Sequence, residues 1–230
     1  PISMKKYGYE NLITKCNYES VKIAKEAAES KNVSVAGSVS TYGYFYKDGT
    51  EKMKASFNEH LKILTDTGVD LIILEAMSSQ ADIVEALVEC SNKINLPIWL
   101  SISCVFNKNK KINLGYDDDI NHNKPKIYED LEESLERFKK LHSGPILVAH
   151  SNMSVTDEAV KILKKHHDNI IGAYPNRGYF VKPHWKFTDN IKPNDYLESA
   201  KNWVSSGAQI IGGCCGIGVE EIKALSILKN

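Results

Sequence analysis

Charge of one sign is what this chain lacks first: Lys and Arg number 29, Asp and Glu also 29, and the formal net charge is zero. With no basic excess, nothing in the composition points to nucleic acid or an anionic membrane surface as a partner. No apolar run approaches the ~20 residues of a membrane-spanning helix. The opening residues, Pro1-Ile2-Ser3-Met4-Lys5-Lys6, do not have the layout of a signal peptide. Cysteine is sparse and odd in number, at five. Cys16, Cys90 and Cys104 lie far apart, without the regular spacing of a disulfide framework. A reducing, cytoplasmic compartment is therefore expected. Linkers, repeats and low-complexity segments are also missing, so residues 1–230 read as a single domain of about barrel size.

What is present is alternation. Short β-branched runs take turns with amphipathic stretches, the pattern of a parallel α/β fold. Six strands are expected: Val33–Val39, Val69–Glu75, Pro97–Cys104, Pro145–His150, Asn169–Tyr174, and a last one entering Gln209-Ile210-Ile211. A helix follows each of them. The first helix, Tyr18–Ala28, precedes them and puts Val21, Ala24 and Ala28 on one face. Two long connections stand out, Ser40–Gly49 and a charged stretch from Cys104 to Lys126. The second carries Lys108, Lys110 and Lys111, then Asp117, Asp118 and Asp119, and reads as a solvated loop. His142, His166 and His167 read as surface histidines near helix ends.

In parallel α/β barrels, ligands meet the carboxyl ends of the strands. Polar groups recur there in this sequence: Ser40-Thr41, Glu75, Cys104, His150-Ser151 and Cys214-Cys215. Glu75 ends an apolar strand, where a carboxylate is costly unless it has a partner. Cys104 reads as a small buried hydrophobe. The two adjacent cysteines sit in Gly212-Gly213-Cys214-Cys215-Gly216. Neighbouring strand residues point to opposite faces, so both thiols serve one site only if the glycines let the chain bend. Thiolates suit zinc. Two small buried cysteines, a vicinal disulfide and a redox dithiol are the other readings. The last lacks Cys-x-x-Cys spacing and a thioredoxin-like pattern.

The stretch Gly207–Gly216, with Glu220-Glu221-Ile222 opening a helix, resembles the C-terminal signature of the homocysteine S-methyltransferase family. The resemblance runs nearly end to end. It includes Ala36-Gly37-Ser38-Val39 with Tyr42-Gly43, Asp48–Glu51, His60, Gly68–Ile72, Leu74-Glu75-Ala76-Met77, Leu96–Ser101, Tyr174-Pro175-Asn176-Arg177-Gly178 and Trp203. It implies an α/β fold of the (β/α)8 TIM-barrel type. The six strands would be family strands three to eight, and the first two, with their Asp-Gly-Gly segment, have no counterpart. The expectation is a member truncated at its N-terminus to about six β/α units, with the first and last strands as sheet edges and a tendency to homo-oligomerise.

The implied activity is transfer of a methyl group from a small-molecule donor to the homocysteine thiol, forming methionine. The family's donors are S-methylmethionine, S-adenosylmethionine, betaine and methylfolate, and no residue here distinguishes them. The implied cofactor is zinc, held in the family by three cysteines. Two match Cys214 and Cys215. The family's first zinc cysteine, at the end of its sixth strand, has no cysteine counterpart here, and either His150 or Ser151 takes the place. Imidazole is a good zinc ligand and serine a poor one, so His150 joins Cys214 and Cys215 as the expected metal set. Glu75 matches the family glutamate that contacts the amino-acid part of homocysteine. His184 and Trp185 are expected to line the pocket. The alternative is a degenerate, non-catalytic member that binds a small ligand or a partner chain.

Overall fold

The computed structural model describes residues 1–41, 49–78, 80–115, 129–181, 184–187 and 191–229. Two compact units divide the chain: Pro1–Glu75 with Asp82–Trp99, and Ala76–Ala81 with Leu100–Asn230.

In the first unit, α1 (Ile2–Lys6) and α2 (Ile13–Ala28) lead to β1 (Ala36–Ser40), α3 (Thr50–Asp66), most of β2 (Leu71–Met77) and all but the first residue of α4 (Ala81–Ser91). Strands β1 and β2 run parallel, with Ala36 opposite Leu71 and Ser40 opposite Glu75. Helix α3 buries Met53, Phe57, Leu61 and Leu64, the i, i+4, i+8, i+11 stripe that a 3.6-residue period creates. Helix α2 begins five residues earlier than its sequence pattern suggests and buries only Ile13 and Val21. Ala24 is exposed.

The second unit holds most of β3 (Ile98–Ile102), then β4 (Cys104–Phe106), β5 (Ile112–Leu114), α5 (Leu131–Phe138), β6 (Ile146–Asn152), α6 (Met153–His166) and β7 (Ile171–Asn176). After them come β8 (Tyr179–Val181), β9 (His184–Lys186), α7 (Pro193–Ser205), β10 (Ile210–Ile211) and α8 (Val219–Leu225). Strand β3 pairs with β6, β6 with β7 and β7 with β10, all parallel. Gly172 permits this spacing, because a Cβ there would meet the Ile210 carbonyl oxygen at 2.6 Å and Leu147 Cδ2 at 2.8 Å. Helix α6 covers the strands with Val155, Ala159, Val160 and Leu163. Each such side chain contributes about 1.5–3 kcal/mol if fully buried, alanine less.

In the first unit β1 lies beside β2, and in the second the parallel order is β3-β6-β7-β10. Sequence order kept through a parallel β/α sheet is the arrangement expected of the truncated barrel. Each strand lies within three residues of its expected limits.

Two expectations change. The stretch after β3 is not a plain solvated loop. Residues 104–114 form an antiparallel hairpin of β4 and β5, with Cys104 opposite Leu114. Val105, Ile112 and Leu114 are buried, and only the lysine-bearing tip is exposed. Asp117, Asp118 and Asp119 lie outside the described residues, as do Tyr42, Gly43 and Asp48. The second change concerns histidines. His142 and His167 are buried, with ring nitrogens 3.1 Å from the Pro145 carbonyl and 3.0 Å from the Gly144 carbonyl. Those loop carbonyls satisfy the rings, so burial costs little. His166 stands between Glu136 and Glu132, at 3.0 and 3.4 Å.

Candidate metal centre

The site begins with the bend after β10. The Gly212 N–H donates to the Ala173 carbonyl at 3.0 Å, still in sheet register. The Cys214 N–H then donates to the Pro175 carbonyl at 2.9 Å, and the Arg177 N–H to the Cys215 carbonyl at 2.8 Å. The Ile217 N–H closes a four-residue turn on the Cys214 carbonyl at 3.1 Å. Its third residue is Gly216, at φ +77°. That conformation belongs to glycine. A Cβ there would also meet the Phe187 ring at 2.6 Å. The turn breaks strand alternation, and the two sulfurs come to lie 3.7 Å apart.

The third group arrives from β6. Pairing with β7 is regular to Ala149 and shifts before Asn152, a bulge at the carboxyl end of the strand. Bulges re-aim side chains in this way. His150 sits in the bulge at φ +45°, a left-handed conformation that histidine adopts more readily than most residues. Its Nδ1 lies 4.0 Å from the sulfur of Cys214 and 4.0 Å from that of Cys215. The three donor atoms fall within 4.8 Å of one another, and all three residues are half-buried.

Ser151 is placed differently. Its hydroxyl donates to the Ala149 carbonyl at 2.8 Å and accepts the Cys104 N–H at 2.8 Å. Buried and committed to backbone, it fastens the bulge to the start of β4. Cys104 itself has no exposed surface, and burial pushes its thiol pKa far up. It is not part of the cluster. Cys16 is exposed and Cys90 buried, and all five cysteines are free thiols.

The donor set fits a tetrahedral metal. Ideal bond lengths of ~2.3 Å to sulfur and ~2.0–2.1 Å to nitrogen separate two sulfurs by about 3.8 Å and sulfur from nitrogen by about 3.5 Å. The observed separations are 3.7 and 4.0 Å. Three protein ligands leave the fourth position for a substrate. Without a metal the Cys214 thiol resists ionisation. The hydrogen bond with Cys215 and then burial hold the Cys214 thiol well above its ordinary range, against the pull of His150.

Sequence reasoning missed the frame around this turn. Tyr196, fully buried on α7, donates its hydroxyl to the Gly212 carbonyl at 2.6 Å and packs edge-on against Trp203. Glu221 accepts the Gly218 N–H at 2.9 Å and lies 3.7 Å from Arg177. The spacing from Gly218 to Glu221 is that of a helix-capping residue, a signal available in the sequence. Tyr196 carried none beyond its place on an apolar face.

Glu75 ends the pairing with β1 in the first unit and is half-buried. His184 is exposed, and the side chain of Trp185 lies outside the described residues. No described helix is long and apolar enough to cross a membrane.

Known proteins resemble the chain along most of its length. Homocysteine S-methyltransferase 2 of Zea mays is 26% identical over 252 residues, covering 96% of this chain and 68% of that protein. Selenocysteine methyltransferase of Astragalus bisulcatus is 24% identical, covering 86% of this chain and 59% of that protein. The chain thus spans about two thirds of the length of the curated relatives it matches. Among solved structures, the metallated form of the homocysteine methyltransferase MmuM from Escherichia coli superposes with a TM-score of 0.67 at 21% identity. It covers 100% of this chain and 76% of that one. At that identity the likeness speaks for the fold. The profile of the homocysteine S-methyltransferase family, however, matches residues 1–228, and the chain belongs to that family.

Proposed function

We propose that this chain moves a methyl group from a small activated donor to the thiol of homocysteine, forming methionine, and that zinc held by His150, Cys214 and Cys215 is its cofactor. One observation carries the reading: an imidazole nitrogen and two sulfurs from distant parts of the sequence converge within 4.8 Å. Family membership and the metallated relative support it. When bound, zinc supplies a Lewis acid that keeps a substrate thiol ionised at neutral pH.

The protein's own groups do the rest. The Gly-Gly-Cys-Cys turn presents two sulfurs on one side, and the bulge presents Nδ1 of His150 to both. Half-burial leaves the cluster reachable by a thiol. Glu75, a carboxylate at a strand end, is proposed to hold the substrate ammonium group. In the transfer, the substrate sulfur forms a bond to the methyl carbon while the carbon–donor bond breaks, and the donor leaves with the electron pair. The five free thiols suit a reducing, cytoplasmic compartment. Strands β1 and β10, the first and last of the parallel set, favour self-association as sheet edges.

The test is methionine formation. Zinc-loaded protein is incubated with homocysteine and, separately, S-methylmethionine, S-adenosylmethionine, betaine or methylfolate, and methionine is measured by mass spectrometry. At least one donor should give turnover that Cys215→Ala abolishes. Homocysteine binding without turnover from any donor would instead identify a non-catalytic member.

A further inference from the structure

We infer that Arg177 and Glu221 are positioning residues that clamp the Cys214-Cys215 turn and set the geometry of its two sulfurs. The inference rests on the metal-binding reading above. The contacts close a ring around the turn. Arg177 donates its backbone N–H to the Cys215 carbonyl at 2.8 Å. Its guanidinium Nη1 lies 3.7 Å from Glu221 Oε1. The other carboxylate oxygen, Oε2, accepts the Gly218 N–H at 2.9 Å, three residues beyond Cys215. From Cys215 the path runs through Arg177 and Glu221 to Gly218 and back along the chain.

The pair is largely withdrawn from solvent, with side chains 21% and 11% exposed. Arg177 Nε is buried with no hydrogen-bond partner among the described residues. Nη1 also reaches the Ile191 carbonyl, at 3.5 Å. Removing one member of such a pair leaves an uncompensated charge, whereas removing both does not. The turn would yield to that stress first, because Gly213 and Gly216 flank the cysteines and Gly216 is already in the left-handed region. A displaced Cys215 carbonyl carries its sulfur away from His150 and Cys214.

The experiment uses cobalt(II) as the probe metal. Protein stripped with a chelator is titrated with Co²⁺, and both the dissociation constant and the thiolate-to-cobalt and ligand-field absorption bands are read. The variants are Arg177→Met, Glu221→Gln, the double substitution and Arg177→Lys, each checked for fold by circular dichroism. Glu221→Gln keeps an oxygen for the Gly218 N–H and removes only the charge. Each single change should weaken Co²⁺ binding by about 10–100-fold, as loss of an outer partner does, and should shift the bands. The double variant should lose less than the product of the two singles, and Arg177→Lys should recover most of the affinity. If Arg177→Met does not fold, Arg177→Gln carries the same comparison. Wild-type affinity and spectrum in the single variants, or no recovery with lysine, would overturn the clamp. A wild-type protein that takes up no Co²⁺ overturns the metal reading, and the clamp with it.

Discussion

Nδ1 of His150 and Sγ of Cys215, 65 residues apart in sequence, stand 4.0 Å apart at the carboxyl ends of two parallel strands. A bulge delivers the one and a glycine turn the other. Cys214→Ala and Cys215→Ala should each abolish stoichiometric zinc in purified protein. His150→Ala should weaken it by more than the roughly 10–100-fold typical of an outer partner. Cys16→Ala and Cys90→Ala should leave it unchanged. Metal analysis after dialysis against a weak chelator reads all five, and equal loss across them would mark the zinc as adventitious.

The backbone of His150 offers a test that needs no metal. At φ +45° a non-glycine residue bears a cost of about 1–2 kcal/mol. Glycine escapes it, but gives back roughly 0.5–1 kcal/mol through its freer unfolded state. His150→Gly should therefore be more stable than His150→Ala by about 1 kcal/mol in urea unfolding of the metal-free protein. The reverse order would show that the bulge is not left-handed in solution.

Much of this architecture was legible in the sequence. All six parallel strands announced themselves by β-branched runs, and the pairing of Gly and Cys marked the turn. Whether His150 or Ser151 stands nearer the two thiols, in place of the family's first zinc cysteine, could not be read. The answer depends on a register shift between Ala149 and Asn152, which a period-two pattern does not record. The β4–β5 hairpin was hidden because three-residue strands carry too little pattern. The burial of His142 and His167 was hidden because loop carbonyls, silent in sequence, satisfy their rings. Arg177 and Glu221 meet only after folding.

Metal affinity should rise with pH. The hydrogen bond with Cys215 and then burial raise the Cys214 pKa, so its proton is present throughout the neutral range. Metal must displace that proton, and affinity should climb by up to about tenfold per pH unit for each proton released. Competition with a chromophoric chelator between pH ~6 and ~8 measures the slope. A flat profile would contradict the burden placed on this thiol.

Stability should fall on the acid side for a separate reason, in the first unit. Burial pushes His60 down to about 4 from the ordinary 6.5, and its Nε2 lies 3.2 Å from Asn17 Oδ1. In the second unit, burial likewise lowers His142 and His167. The folded state favours the neutral ring, so this stability is present above pH ~6.5 and is lost as pH falls toward the folded value. For His60 the loss is of order 2–3 kcal/mol by pH ~4. His60→Gln should flatten the acid limb of a melting-temperature profile, and an unchanged limb would remove His60 from the account.

Zinc K-edge X-ray absorption on the zinc-loaded protein, before and after homocysteine is added, reads the ligand shell itself. Two sulfurs and one imidazole nitrogen should surround zinc in the free protein, and three sulfurs with the same nitrogen once homocysteine is present. A shell of oxygen and nitrogen only, or two sulfurs unchanged by saturating homocysteine, would contradict it.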